Sequence, residues 1–234
     1  MGSIFGGLKA GVVSGIVYIA LLGVINIIAL YIFKDEAIRL IQENYSAQCS
    51  GITAEGCFLA VVQVYLPVNM FVSFVLLLVY ASIYGRLFEY IPGTSYTSKG
   101  VTVSLILLLT MSFFGSAVTQ FTFFGRVIVL ASAFVLTIML GVLLGRFYRR
   151  YTRTVEFQSS HPEGLRIFVD RRDVTGKRLT FSLHSIHKAR AEGKIPFKNW
   201  TFTGGVIVED QRSFETPFEI NGDGILKVNG RIES

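Results

Sequence analysis

Few residues in this chain have the chemistry for catalysis or metal binding, and their spacing is the first test of function. His184 and His187 form an HxxH pair, but no glutamate lies between them and the third histidine of the chain, His161, is distant in sequence. Zinc takes three or four ligands, so this pair predicts no metal site. Glu219-Ile-Asn221-Gly-Asp223-Gly224 resembles the opening of a calcium loop, yet Gly230 stands where the twelfth-position glutamate belongs. Asn221–Gly224 therefore reads as a hairpin turn. Asp170-Arg-Arg-Asp173 reads as a solvated strand end or turn. No GxxxxGK[ST], GxGxxG or GxSxG pattern occurs, which leaves no phosphate loop, dinucleotide fingerprint or nucleophile elbow to assign.

Composition explains why chemistry is so sparse. About half of the 234 residues are hydrophobic, 16% are charged, and the mean hydropathy is +0.54. That places the chain in the membrane class. A bilayer core needs about 20 mostly apolar helical residues. Four segments qualify: Gly11–Phe33, Phe58–Tyr84, Val101–Phe124 and Val127–Phe147. None carries a charge at its centre, and no histidine precedes His161, so the apolar half offers no haem or metal ligand of that kind. Pro67 should kink the second segment. The first is too long for a secretory signal and reads as a retained helix.

Charge orients these spans. Residues 1–154 hold ten Lys/Arg against five Asp/Glu, whereas residues 155–234 hold twelve against eleven. Lys9, Arg86, Lys99 and the cluster Arg146, Arg149, Arg150 and Arg153 fall at the amino end, the second connection and the exit of the fourth span. By the positive-inside rule these lie in the cytoplasm. Both termini are then cytoplasmic in a multi-pass cell-membrane protein. The arginines, with Phe147, Tyr148 and Tyr151, read as an anchor to anionic lipid headgroups. A positive excess confined to the membrane half argues against nucleic acid as a partner.

The first connection then faces outward. It contains both cysteines, Cys49 and Cys57, which an oxidising compartment would allow to pair. Asn44-Tyr45-Ser46 in the same loop is a possible glycan acceptor at Asn44.

Glycine spacing adds a second theme. Gly7, Gly11 and Gly15 are four apart where the first apolar run begins, and Gly141 and Gly145 repeat the interval in the last. On a helix such residues share a face, and glycine there lets another backbone come close. The faces serve packing within this chain or docking of another subunit.

Beyond Tyr151 the pattern changes to alternation. Leu165/Ile167/Val169 and Leu179/Phe181/Leu183 each fall on one face, and Trp200/Phe202, Val206/Val208, Phe218/Ile220 and Leu226/Val228 keep the period of two. Ser185–Glu192 reads as a short helix or turn. The fold expected is thus an α-helical membrane bundle of four transmembrane helices (1–150), followed by a small cytoplasmic β-rich domain (155–234), a sandwich or small barrel. No family is identified by these motifs, and no cofactor is implied. The function expected is a non-catalytic integral membrane subunit or scaffold of a larger assembly, its β domain contacting partners. The alternatives are a membrane-tethered ligand-binding or sensing module and a small transporter or channel.

Overall fold

The computed structural model describes residues 3–45, 51–114 and 123–231. Among these residues five helices precede seven strands: α1 (Ile4–Ile32), α2 (Lys34–Tyr45), α3 (Ala54–Leu87), α4 (Tyr96–Phe114) and α5 (Phe123–Tyr151). Among the described residues, three helical stretches are long and apolar enough to cross a membrane: Ile4–Ile32, Ala54–Leu87 and Leu130–Tyr151. The segment expected to begin at Val101 starts earlier, at Tyr96, because Ser95 caps it. The Ser95 hydroxyl accepts from Ser98 N at 3.1 Å, and its carbonyl accepts from Lys99 N. Thr53 caps α3 in the same way, its hydroxyl accepting from Gly56 N at 3.1 Å. Pro67 lies inside α3.

The chain divides into two compact units. The helical unit comprises Ala10–Tyr84 and Ile91–Phe147. In it, α1 presents Ala10, Gly11, Ser14 and Gly15 as one buried stripe. A methyl group on Gly11 would run into Ala81, and one on Gly15 would lie 2.9 Å from the Phe74 ring and 3.1 Å from Leu77. The pair α4 and α5 is closer still. Gly100, Gly141 and Gly145 bring backbone against backbone, and a methyl group on Gly141 would lie 2.8 Å from Val101 N. Leu77, Leu107 and Leu140 form the buried apolar centre of the unit, with Tyr18 and Tyr80 packed on it. Tyr84, fully buried, donates to the Tyr96 carbonyl at 2.9 Å.

The second unit comprises Tyr148–Ser234 together with Met1–Lys9 and Gly85–Tyr90. Its strands are β1 (Thr152–Ser159), β2 (Leu165–Val169), β3 (Arg172–Asp173), β4 (Arg178–Ser182), β5 (Ile186–Gly193), β6 (Phe197–Val208) and β7 (Glu215–Gly230). They form one mixed sheet in the order β3-β2-β5-β7-β1-β4, with β6 along β7. The pairing of β1 with β7 is parallel, in the register Val155↔Gly224 to Ser159↔Val228; the other pairings are antiparallel.

The two ends of that path are consecutive in the chain, and the sheet curls. Val174 N donates to Ile167 O on β2, while Phe157 of β1 exchanges bonds with Gly176 N and Lys177 O. Inside the curl, Phe157, Phe181 and Phe218 meet edge to face with centroids 6.0 to 6.3 Å apart. Trp200, the only tryptophan, is fully buried, and its indole N–H donates to Ser213 O at 2.8 Å.

Two local expectations are corrected. Residues Ser185–Glu192 are not helical: β5 occupies Ile186–Gly193, with Ala189 and Ala191 turned into the core. Asn221–Gly224 is not a hairpin turn. It lies inside β7, a strand of sixteen residues, at the point where its partner β6 shifts register between Gly204 and Val206. Gly204 has φ +71°, and a methyl group there would strike Asp223 O. One on Gly205 would strike Gly222. Glycines on both strands thus let the pair bend sharply without side-chain obstruction.

Gly204→Ala meets both a left-handed backbone and a carbonyl. We expect it to destabilise the sheet by about 2 kcal/mol or more. Trp200 fluorescence during denaturant unfolding measures this.

Candidate functional site

The sheet unit contains the amino-terminal turn of α1, the carboxyl end of α3 and the last turn of α5, and their contacts form a polar collar. Tyr148 is its centre. Its side chain is fully buried, its hydroxyl accepts from Ser3 N at 3.0 Å and donates to Gly85 O at 3.2 Å. The Phe88 ring packs against it with centroids 4.8 Å apart. Gly85 lies against the backbone of Ser3 and Gly7, and Gly6 lies against Thr152. The hydroxyls of Ser3 and Ser182 hydrogen-bond to each other.

β4 is an edge strand, and the collar covers part of that edge. Glu89 Oε1 accepts from Thr180 N at 2.8 Å, supplying a partner to a buried residue of the outer strand. An unpaired strand edge is a template for unwanted pairing, and a carboxylate placed on it blocks that.

The end of α5 explains how helix becomes strand without a loop. Thr152 Oγ1 donates to Tyr148 O at 2.7 Å, and Arg153 Nη1 donates to Arg149 O at 2.8 Å and to Thr152 O at 2.7 Å. These bonds satisfy carbonyls that the helix itself leaves open. Arg153 is thus engaged on its own backbone, whereas Arg146, Arg149 and Arg150 are exposed.

The two histidines of HxxH diverge. His184 Nδ1 bonds Asn221 Oδ1 at 2.6 Å. His187 lies at the rim of the core against Phe181, with Nδ1 on Asp170 Oδ2 at 2.8 Å and Nε2 on Ser185 Oγ at 3.0 Å. Among the described residues no group of three or more His, Cys, Asp or Glu is placed to hold a metal ion.

Of the other residues singled out, Gly7, Gly11, Gly15, Gly141 and Gly145 occupy the close approaches already described. Cys57 is buried, with 2% of its surface exposed. Cys49 lies outside the described residues, as does the side chain of Asn44. Sequence reading missed Ser3, Gly85, Glu89 and Gly100. Their spacing carries no periodic signal, since Ser3 meets partners 145 and 179 positions away.

Acidic groups on the sheet surface are held below their usual range. Glu156 accepts from Gln158 and from Arg178, the latter at 2.6 Å, and both lower it. Glu215 is lowered mainly by its bond to Lys188 at 2.9 Å, with Arg190 adding to it.

Comparison with protein-family models, curated proteins and solved structures returns no match in any of the three. The fold therefore defines only a class. It is a chain of apolar helices, three of them, among the described residues, long enough to span a membrane, that carries a curled mixed sheet.

Two outcomes follow from this geometry. Tyr148→Phe deletes two buried hydrogen bonds and should cost about 1–3 kcal/mol, read from Trp200 unfolding curves. The lowered carboxylates contribute stability above their ordinary value of 4.5, and that contribution is lost as pH falls through the lowered values. The melting temperature of the sheet should therefore drop at acid pH below about 4.5, and Glu215→Gln should weaken that dependence.

Proposed function

We propose that this chain is a non-catalytic integral membrane subunit or scaffold of a larger assembly. In this reading it crosses the bilayer four times. The third crossing uses α4 and the residues that follow it, part of which lie outside the described residues. Both termini and the sheet, read as a small barrel, are cytoplasmic. Arg146, Arg149 and Arg150 meet anionic headgroups there, and Arg153 adds its charge while capping the helix. On the outer side Cys49 and Cys57 pair, and Asn44 is open to a glycan.

The observation that carries the proposal is the surface of the helical unit. Large apolar side chains point outward along α1 and α3, among them Ile16, Val24, Ile28, Val64 and Phe71. Besides the Tyr84 hydroxyl, the buried polar side chains of that unit, among the described residues, are the hydroxyls of Ser14, Ser104 and Thr137. Ser14 donates to the Ala10 carbonyl of its own helix at 2.7 Å. Such helices supply surface to lipid and to neighbouring helices, and the folded sheet serves as a platform for a partner. In lipid, helix association relies on close packing, which smooth, small-residue faces favour.

Extraction in a mild detergent, followed by mass determination and sequencing of co-purifying chains, tests the proposal. We expect discrete partners in fixed ratio. A lone monodisperse monomer would overturn the assembly role.

A further inference from the structure

The outer face of the sheet carries a cleft of about 670 Å³, bordered by β2, β5, the start of β7 and the turn after β2. Its charged groups are nearly all paired. Lys188 bonds Glu215 at 2.9 Å, and Arg190 bonds Glu192 at 2.8 Å. Asp170 is drawn to His187 at 2.8 Å. Arg171 is left: among the described residues its guanidinium has no hydrogen bond or ion-pair partner. It lines the cleft, as does Phe168.

The backbone at this arginine sharpens the point. Val169 pairs with Arg172, so Asp170 and Arg171 alone make the turn of a tight hairpin. Their φ values are +48° and +69°. Tight hairpin turns of this hand favour Asn-Gly, because an L side chain is strained there. Asp170 is retained by its bond to His187, whereas Arg171 has no such bond to offset the strain. Strain held at a specific position points to a role for the side chain.

We propose that this cleft binds a ligand bearing a single carboxylate next to an apolar or aromatic body. Arg171 receives the carboxylate through its planar fork, and Phe168 packs against the body. The paired state of Lys188 and Arg190 selects against polyanions. A phosphate dianion would need a second free cation and would have to break an existing ion pair to find one. The inference is independent of the assembly role, because it concerns a face of the sheet and not the helices.

The test uses the full chain in detergent, with phenylacetate as probe and phenylacetamide and inorganic phosphate as controls. At about 10 mM, above the millimolar Kd expected of one ion pair and one ring contact, phenylacetate should raise the melting temperature read by Trp200. Arg171→Gly should relax the turn and raise the melting temperature without ligand, while weakening the phenylacetate response at least tenfold in Kd. The two readouts move in opposite directions, so loss of folding cannot mimic loss of binding. No response of the unmodified chain to phenylacetate would overturn the proposal. So would an equal response to phenylacetamide or phosphate, or a response that survives Arg171→Gly.

Discussion

Close approach of one backbone to another, with no side chain between them, is the constraint on which both halves of this protein rest. In the helical unit Gly100 and Gly141 put α4 and α5 in backbone contact. In the sheet, Gly204 and Gly205 face Gly222 and Gly224 where β6 and β7 bend. The benefit differs with the solvent. Helices in hydrocarbon gain little from excluding lipid, so dispersion at short range must hold them. A sheet in water gains from burying side chains, and there glycine serves shape, letting a sixteen-residue strand curve around its own core.

That long strand organises the domain. β7 is bonded along one edge by β6, and along the other first by β5 and then by β1. Its inward residues Phe218, Ile220, Leu226 and Val228 are all buried. The bend between the two pairs divides the strand into halves that serve different neighbours while remaining one ladder. The collar then links this core to helix ends through Tyr148, whose single hydroxyl joins Ser3 and Gly85.

Much of this was legible where a local pattern sufficed. Apolar runs located α3 and α5 to within four residues and the carboxyl end of α1 to within one, although α1 begins seven residues before the expected Gly11, and alternation located β2, β4, β6 and the halves of β7. Misreadings occurred where pairing outweighed local preference. β5 reads Ile-His-Lys-Ala-Arg-Ala-Glu-Gly, rich in helix-favouring Ala and Arg, yet β2 and β7 claim its two edges. Asn-Gly-Asp-Gly has turn chemistry, but Gly204 and Gly205 on the neighbouring strand turn it into a bend. The helix α2 had a readable signal, with Ala37, Ile38 and Ile41 spaced for one face. The collar had no sequence signal, since contacts such as Glu89 to Thr180 join residues 91 positions apart.

The place of β7 in the chain also bears on how the molecule is made. It is made after β1 to β6, yet β1, β5 and β6 all depend on it for a neighbour. Until it arrives, those three strands have exposed edges and an uncovered aromatic centre. Domains dominated by such long-range pairing fold slowly and are prone to self-association meanwhile. Nascent chains arrested before Glu215 should consequently be the species most in need of a chaperone.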